Sequence, residues 1–169
     1  ALVLRLEGGR IGLLEATGIA GVAVCAWDDF ISREWFLIYP EIAWRRVSFA
    51  RTQEQISALQ TWAASVLGKP YGLSMAMLMQ RKSLAGGARH ESFFCSMLVA
   101  EALKVLQVIP HGKSSTQYWP ASFEAHHRPP IETIEGTSLD EEMVVDFGGS
   151  LPMSATGAHQ GRDATARLL

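Results

Sequence analysis

Only two cysteines, Cys25 and Cys95, occur in 169 residues. That is too few for a disulfide framework, and with five scattered histidines they show no pairing at zinc-ligand spacing. Neither a metal nor another cofactor is expected. Charge is also sparse: charged residues make up 19% of the chain, with a formal net charge of −2. Arginine and lysine never cluster beyond adjacent pairs such as Arg45-Arg46 and Arg81-Lys82. A nucleic acid or an anionic membrane would need a more basic surface, so both are excluded as partners. No apolar run approaches the ~18 residues of a membrane span, and no internal repeat is apparent. There is no initiating Met. A signal peptide, if encoded, would precede Ala1, so the sequence leaves the compartment open, as it does the oligomeric state.

What is present is a core: 48% of residues are apolar, enough for one compact α+β domain without disulfides. Residues 1–149 are expected to form it. Ser150 to Leu169, rich in Ser, Ala, Thr and Gly and without periodicity, is expected to be a disordered tail. Alternation and turn residues predict a hairpin from Ala1–Leu6 and Ile11–Ala16, a third strand at Gly21–Ala26, a helical turn at Trp27–Ile31 and a fourth strand at Trp35–Tyr39. Thr52 with Gln55 has the spacing of a capping box and starts a long helix ending near Leu67, whose buried stripe is Ile56, Leu59, Ala63, Val66 and Leu67. Ser83–Arg89 is expected to be a flexible loop, and Met143–Phe147 a last strand. Cys25 sits in the strand-like run Gly21–Trp27 and is read as core.

The segment richest in chemical meaning is Phe93-Phe94-Cys95-Ser96, which opens the apolar run Met97-Leu98-Val99-Ala100-Glu101-Ala102-Leu103. A helix is predicted from near Ser92 or Phe93 to near Val108. A cysteine in its first turn lies among backbone N–H groups without intrahelical partners, whose partial positive charge favours a thiolate. A cysteine in an apolar helix is also a common core residue, and both readings stand on position alone. Glu101, Lys104 and Gln107 recur every third position and are read as the wet face. Met97, about 40° from Glu101 on a helical wheel, leans toward it.

The order of several motifs resembles the circularly permuted papain-fold proteins of the NlpC type. In that family an aromatic-x-Cys-Ser-Glu-Leu-Val/Ile-Ala stretch carries the nucleophile; here it reads Phe93-Phe94-Cys95-Ser96-Met97-Leu98-Val99-Ala100, with Met97 in place of Glu. Lys69-Pro70-Tyr71-Gly72 precedes the cysteine as the family's G-x-x-Y element does, and Trp119-Pro120-Ala121-Ser122-Phe123 follows it like the family's Pro-x-Asp/Ser-Phe segment. The resemblance implies a permuted papain-like fold, an antiparallel sheet packed against a helix that bears the nucleophile. It also implies that the base histidine lies on an N-terminal strand, in a His-Val-Gly-Ile/Leu-Val setting. Ala1-Leu2-Val3-Leu4 resembles that strand just after the histidine, so the base is expected upstream of Ala1.

Within the same resemblance, Leu14-Glu15-Ala16 matches the family's Val/Ile-Glu-Ala, and Glu15 would orient the imidazole across the hairpin. From the segment alone, Glu15 is equally a solvated strand residue. Of the visible histidines, His90 is too close along the chain to reach Cys95 without folding back. His111 and His159 fall in polar loops, and His126 or His127 is the best substitute base. The implied chemistry is acyl transfer to a Cys95 thiolate, with the Cys95 N–H and Tyr71 at the oxyanion. Tyr71 is equally read as a packing residue. The substrate would be a peptide, an amide or an acyl lipid, water as acceptor giving a hydrolase and an alcohol or amine a transferase, as in the related lecithin retinol acyltransferase group. The alternative is a non-catalytic papain-fold binding module lacking the base.

Overall fold

A computed structural model describes residues 1–72, 79 and 90–147. Strand β1 (Leu2–Arg5) and strand β2 (Ile11–Thr17) form the expected hairpin, paired Leu2 with Leu14 through Arg5 with Ile11. Between them the chain reverses through Gly8 and Gly9, both at positive φ, which glycine adopts without a Cβ penalty. Strand β3 (Gly21–Ala26) adds antiparallel to β2, from Gly12 opposite Ala26 to Thr17 opposite Gly21. The alternation is visible in burial: Leu2, Leu4, Leu14 and Ala16 face inward while Val3 is exposed, as the two-residue period of a half-covered sheet requires.

Helix α1 (Trp27–Ser32) follows β3 directly. Residues Trp35–Ile38, expected as a strand, form a 3-10 helix instead. A short apolar run carries no period of its own. Tertiary contacts decide this one: Phe36 stacks on Phe147 with ring centroids 4.5 Å apart, and the Arg33 guanidinium lies over Trp35. Strand β4 (Ala43–Ser48) was not expected, and it pairs with strand β5 (Ser138–Val144) in a separate two-stranded antiparallel sheet. The last strand therefore starts and ends earlier than Met143–Phe147. Arg45 is no idle surface charge, since its guanidinium donates to the carbonyls of Asp140, Leu139 and Phe123 at 2.6, 2.9 and 2.8 Å. It ties the small sheet to the turn that ends at Phe123.

Helix α2 (Gln53–Val66) begins as the sequence predicts. Thr52 accepts from the Gln55 N–H at 3.2 Å, and the Thr52 N–H donates to Gln55 Oε1 at 3.1 Å. Two end-of-helix donors are thereby satisfied, which is worth about 1 kcal/mol. Gln55 Nε2 also donates to the Leu106 carbonyl at 2.8 Å, joining the start of α2 to the end of the next helix.

That helix, α3 (Cys95–Val105), the next after α2 whose bounds lie among the described residues, starts later and ends earlier than expected. It runs between two apolar clusters. One joins the inner face of β1–β3 and Ala63 and Val66 of α2 to Phe93, Phe94, Met97, Leu98 and Ala102. The other joins Ala100, Leu103 and Leu106 to Val108, Ile109 and Tyr118. A helix clasped on both sides has no broad wet face. Met97 is accordingly fully buried and Lys104 is 3% exposed, against the expectation that both would lie on or near the solvent side. Among the described residues no helix is long and apolar enough to cross a membrane. The expected loop at Ser83–Arg89 and the expected tail from Ser150 lie outside the described residues, as do positions 148 and 149 of the expected domain.

Candidate active site

Cys95 is the first residue of α3 and is exposed, whereas Cys25 is buried in β3. The first helical hydrogen bond runs from the Leu98 N–H to the Phe94 carbonyl at 3.0 Å. The N–H groups of Cys95, Ser96 and Met97 precede it and have no intrahelical acceptor. A thiol there meets the positive end of the helix and open water. Phe94 is extended at the N-cap and supplies no side-chain cap. Its ring is buried and stacks on Trp119, centroids 6.2 Å apart.

Tyr71 is brought to this point by backbone pairing. It forms a parallel bridge with Phe93, the Phe93 N–H donating to the Pro70 carbonyl at 3.0 Å and the Gly72 N–H to the Phe93 carbonyl at 3.1 Å. The same segment is anchored on its other side to the sheet. The Val22 N–H donates to the Lys69 carbonyl, and the Gly68 N–H to the Val22 carbonyl, both at 2.8 Å. Glycine is needed at position 21 because φ there is +64° and a Cβ would stand 2.3 Å from the Lys69 oxygen. The Lys69–Gly72 stretch is thus strapped between β3 and the residues leading into Cys95.

Glu15 lies on β2 between Leu14 and Ala16, whose side chains face the cluster that holds Phe94, Met97 and Leu98, so its own side chain leaves the sheet on the other face. Continued one step past β1, the register that sets Leu2 opposite Leu14 would set Ala1 opposite Glu15. The α-amino group of Ala1 is pushed down by burial, an effect opposed by the negative charges of Cys95 and of Glu15. Charges act on a group this way only at short range. The Ala1 α-amino group thus lies within electrostatic range of Cys95 and of Glu15, and backbone pairing sets Tyr71 beside Phe93, two residues before Cys95.

The described histidines engage other groups or lie exposed. His111 and His126 are exposed, and the His127 N–H donates to the Glu124 carbonyl in the turn after Phe123. His159 lies outside the described residues. His90 Nε2 stands 3.6 Å from Glu101 Oε1, its carbonyl accepts from Lys69 Nζ at 2.6 Å, and its ring meets the edge of Phe93. Burial pushes the Glu101 carboxyl up, but its neighbours His90, Ser115 and Lys104 outweigh it and hold the group below the usual carboxylate range. Lys104 is lowered by its own burial, partly offset by Glu101, and Lys104 Nζ donates to the Lys113 carbonyl at 2.6 Å.

This polar cluster was missed in the sequence because Glu101 and Lys104 have the spacing of a wet face. The charged pair at an i, i+3 step followed by the Lys113–Thr116 loop was the available signal. Among the described residues no three His, Cys, Asp or Glu side chains gather as a metal ion would require. Comparison with protein-family models, with curated proteins and with solved structures gives no match.

Proposed function

We propose that the protein is a papain-like cysteine hydrolase of the permuted, NlpC-type arrangement, acting on a peptide, amide or acyl-lipid carbonyl through Cys95. The observation that carries this reading is the exposed cysteine in the first turn of α3, with the Lys69–Gly72 strap paired to the residues that lead into it. In the proposed reaction the Cys95 thiolate adds to the carbonyl carbon. The tetrahedral oxyanion is met by unpaired N–H groups of the α3 start, with the Tyr71 hydroxyl beside it. Collapse expels the amine or alcohol, which takes a proton from an imidazolium, and water then releases the acyl group by the reverse proton path.

The imidazole would stand on β1 ahead of Ala1. Side chains alternate along a strand, so the position two residues before Ala1 shares the face of Ala1 and of Glu15, and Glu15 would orient the ring. The rival reading, a papain-fold binding module without a base, draws support from the described histidines, whose recorded hydrogen bonds and ion pairs lie away from Cys95.

The test is turnover of an activated ester and a peptide amide by the chain beginning at Ala1 and by one extended upstream through its own coding sequence. The extended chain should be faster by about 10²–10⁴-fold, the usual contribution of a general base, and Cys95→Ala should abolish the gain. No turnover by either chain would leave the binding-module reading in its place.

A further inference from the structure

We propose that Trp119 is a specificity-determining residue of the Cys95 site, a fixed aromatic surface for an uncharged apolar group that the substrate carries next to the carbonyl under attack. This rests on the reading of Cys95 as the nucleophile and narrows its substrate class, but the binding step can be measured without any hydrolysis.

A single exposed tryptophan is ordinary on a protein surface. Trp119, 47% exposed, differs in being held still beside the thiol. Its N–H donates to Ser122 Oγ at 3.1 Å, and its carbonyl accepts from the Ser122 N–H at 2.9 Å. Pro120 follows it, and Tyr118 before it is buried in the cluster that holds Val108 and Ile109. Its ring stacks on the buried ring of Phe94, centroids 6.2 Å apart and planes 29° from parallel. Phe94 immediately precedes exposed Cys95, so one ring contact and one peptide unit separate the indole from the nucleophile. A ring that the fold has already ordered gives up little freedom when a ligand lies on it, which is what makes rigid aromatic anchors good contact surfaces.

The chemical class follows from the charges. Tyr71 and Gly72, which pair with Phe93, carry none, and neither do Ser92–Ala100 or Ser114–Phe123. Of the charged residues that bound these stretches, Lys69 Nζ donates to the His90 carbonyl, Glu101 faces His90 and Lys104, and Lys113 Nζ lies 4.4 Å from the Tyr118 ring centroid. Glu91 and Glu124 are exposed. An anionic group laid on the indole would give up water without gaining a cation from these stretches. An uncharged apolar group removes its own surface and that of the ring from water together. A cation is the other ligand that an indole face attracts, and a cationic probe is therefore one arm of the test.

The experiment measures alkylation of Cys95 by maleimides that share one electrophile and differ in the group on nitrogen: methyl, benzyl, carboxyethyl or trimethylammonioethyl. Each native rate is divided by the rate of the same reagent on the urea-unfolded chain, with peptide mapping to separate Cys95 from Cys25. In the wild type the benzyl reagent should exceed the methyl reagent about three- to tenfold, the scale of one aromatic pair, and neither charged reagent should exceed the methyl one. Trp119→Phe should keep most of the preference. Trp119→Ala, and Trp119→Leu, which keeps an apolar side chain over Phe94 if the alanine variant does not fold, should lose it.

Equal ratios for the methyl and benzyl reagents in the wild type would overturn the proposal, as would a benzyl preference that survives loss of the ring. Substitutions that move both rates together and leave their ratio unchanged would make Trp119 a support for Phe94 and overturn the specificity role. A preference for the trimethylammonioethyl reagent would overturn the uncharged class. The same comparison on the upstream-extended chain uses p-nitrophenyl phenylacetate against p-nitrophenyl acetate. A benzyl preference without turnover of either ester would count against the hydrolase reading alone, and turnover without a preference for phenylacetate would count against Trp119 alone.

Discussion

Replacing Met97 with glutamate puts back the residue that the resembling family carries, and it separates two pictures of helix α3. In the helical-wheel picture the side chain leans toward water and the change is nearly silent. In the structure Met97 is fully buried, in a cluster with Leu2, Leu4, Leu14, Phe93 and Leu98. Truncating a buried methionine costs about 2–5 kcal/mol, and a carboxyl among those neighbours adds the cost of desolvation without a partner. A loss of at least about 3 kcal/mol is expected. At roughly 2–4 °C per kcal/mol for a domain of this size, the melting temperature should drop by about 6–12 °C.

The introduced carboxyl would escape part of the penalty by staying protonated, its folded-state pKa raised above its unfolded value. The folded state then binds more protons than the unfolded one, so stability falls as pH rises. The loss should be smaller at pH 5 than at pH 8. Thermal unfolding of the wild type, Met97→Glu and Met97→Ala at both pH values measures it. A melting temperature for Met97→Glu within about 2 °C of wild type, with no pH dependence, would refute the enclosed placement of α3.

Gly21→Ala should destabilise the fold by about 2 kcal/mol or more, since it combines a left-handed backbone position with a Cβ aimed at the Lys69 oxygen. Thermal unfolding checks it, and an unchanged melting temperature would mean that the strap does not lie on β3. Glu15→Gln, in the upstream-extended chain, should lower turnover while the melting temperature barely moves, because the amide retains a hydrogen-bonding side chain but no charge to stabilise an imidazolium. Unchanged turnover would remove Glu15 from the site, and a large stability loss would make it a structural contact.

The parts of this fold that could be read from the sequence are those whose determinants are local. The Thr52–Gln55 capping box, the alternation of Leu2, Leu4 and Leu14, and the strand at Gly21–Ala26 all carry their signal within a few residues, and the structure places them as expected. Trp35–Ile38 and Ala43–Ser48 were not readable, because an aromatic stack on Phe147 decides the first and pairing with a strand some 95 residues away along the chain decides the second. The misjudged burial of Met97 and Lys104 has the same origin. A wheel drawn for one helix assumes one wet face, whereas α3 is clasped by two clusters that the chain assembles from remote segments.

Within the candidate site, Cys95 at the first turn was legible because an aromatic pair and a small polar residue precede a continuous apolar run. The roles expected for Glu15 and Tyr71 came from motif order rather than from any local pattern, and the pairing of Tyr71 with Phe93 depends on segments remote from each other along the chain. His90 and Glu101 stand 3.6 Å apart yet belong to different elements, and nothing in either segment announces the other.

The central claim is that Cys95 is a reactive nucleophile held at the start of α3, and the most direct measurement is competitive alkylation of the native protein. With limiting iodoacetamide at neutral pH and peptide mapping of both thiols, Cys95 should be labelled before Cys25 and faster than the same cysteine in the urea-unfolded chain. The first result would follow from exposure alone. The second requires the folded site itself to make the thiol more reactive. Labelling of Cys25 first, or of Cys95 no faster in the native than in the unfolded protein, would contradict the assignment of Cys95 as the nucleophile.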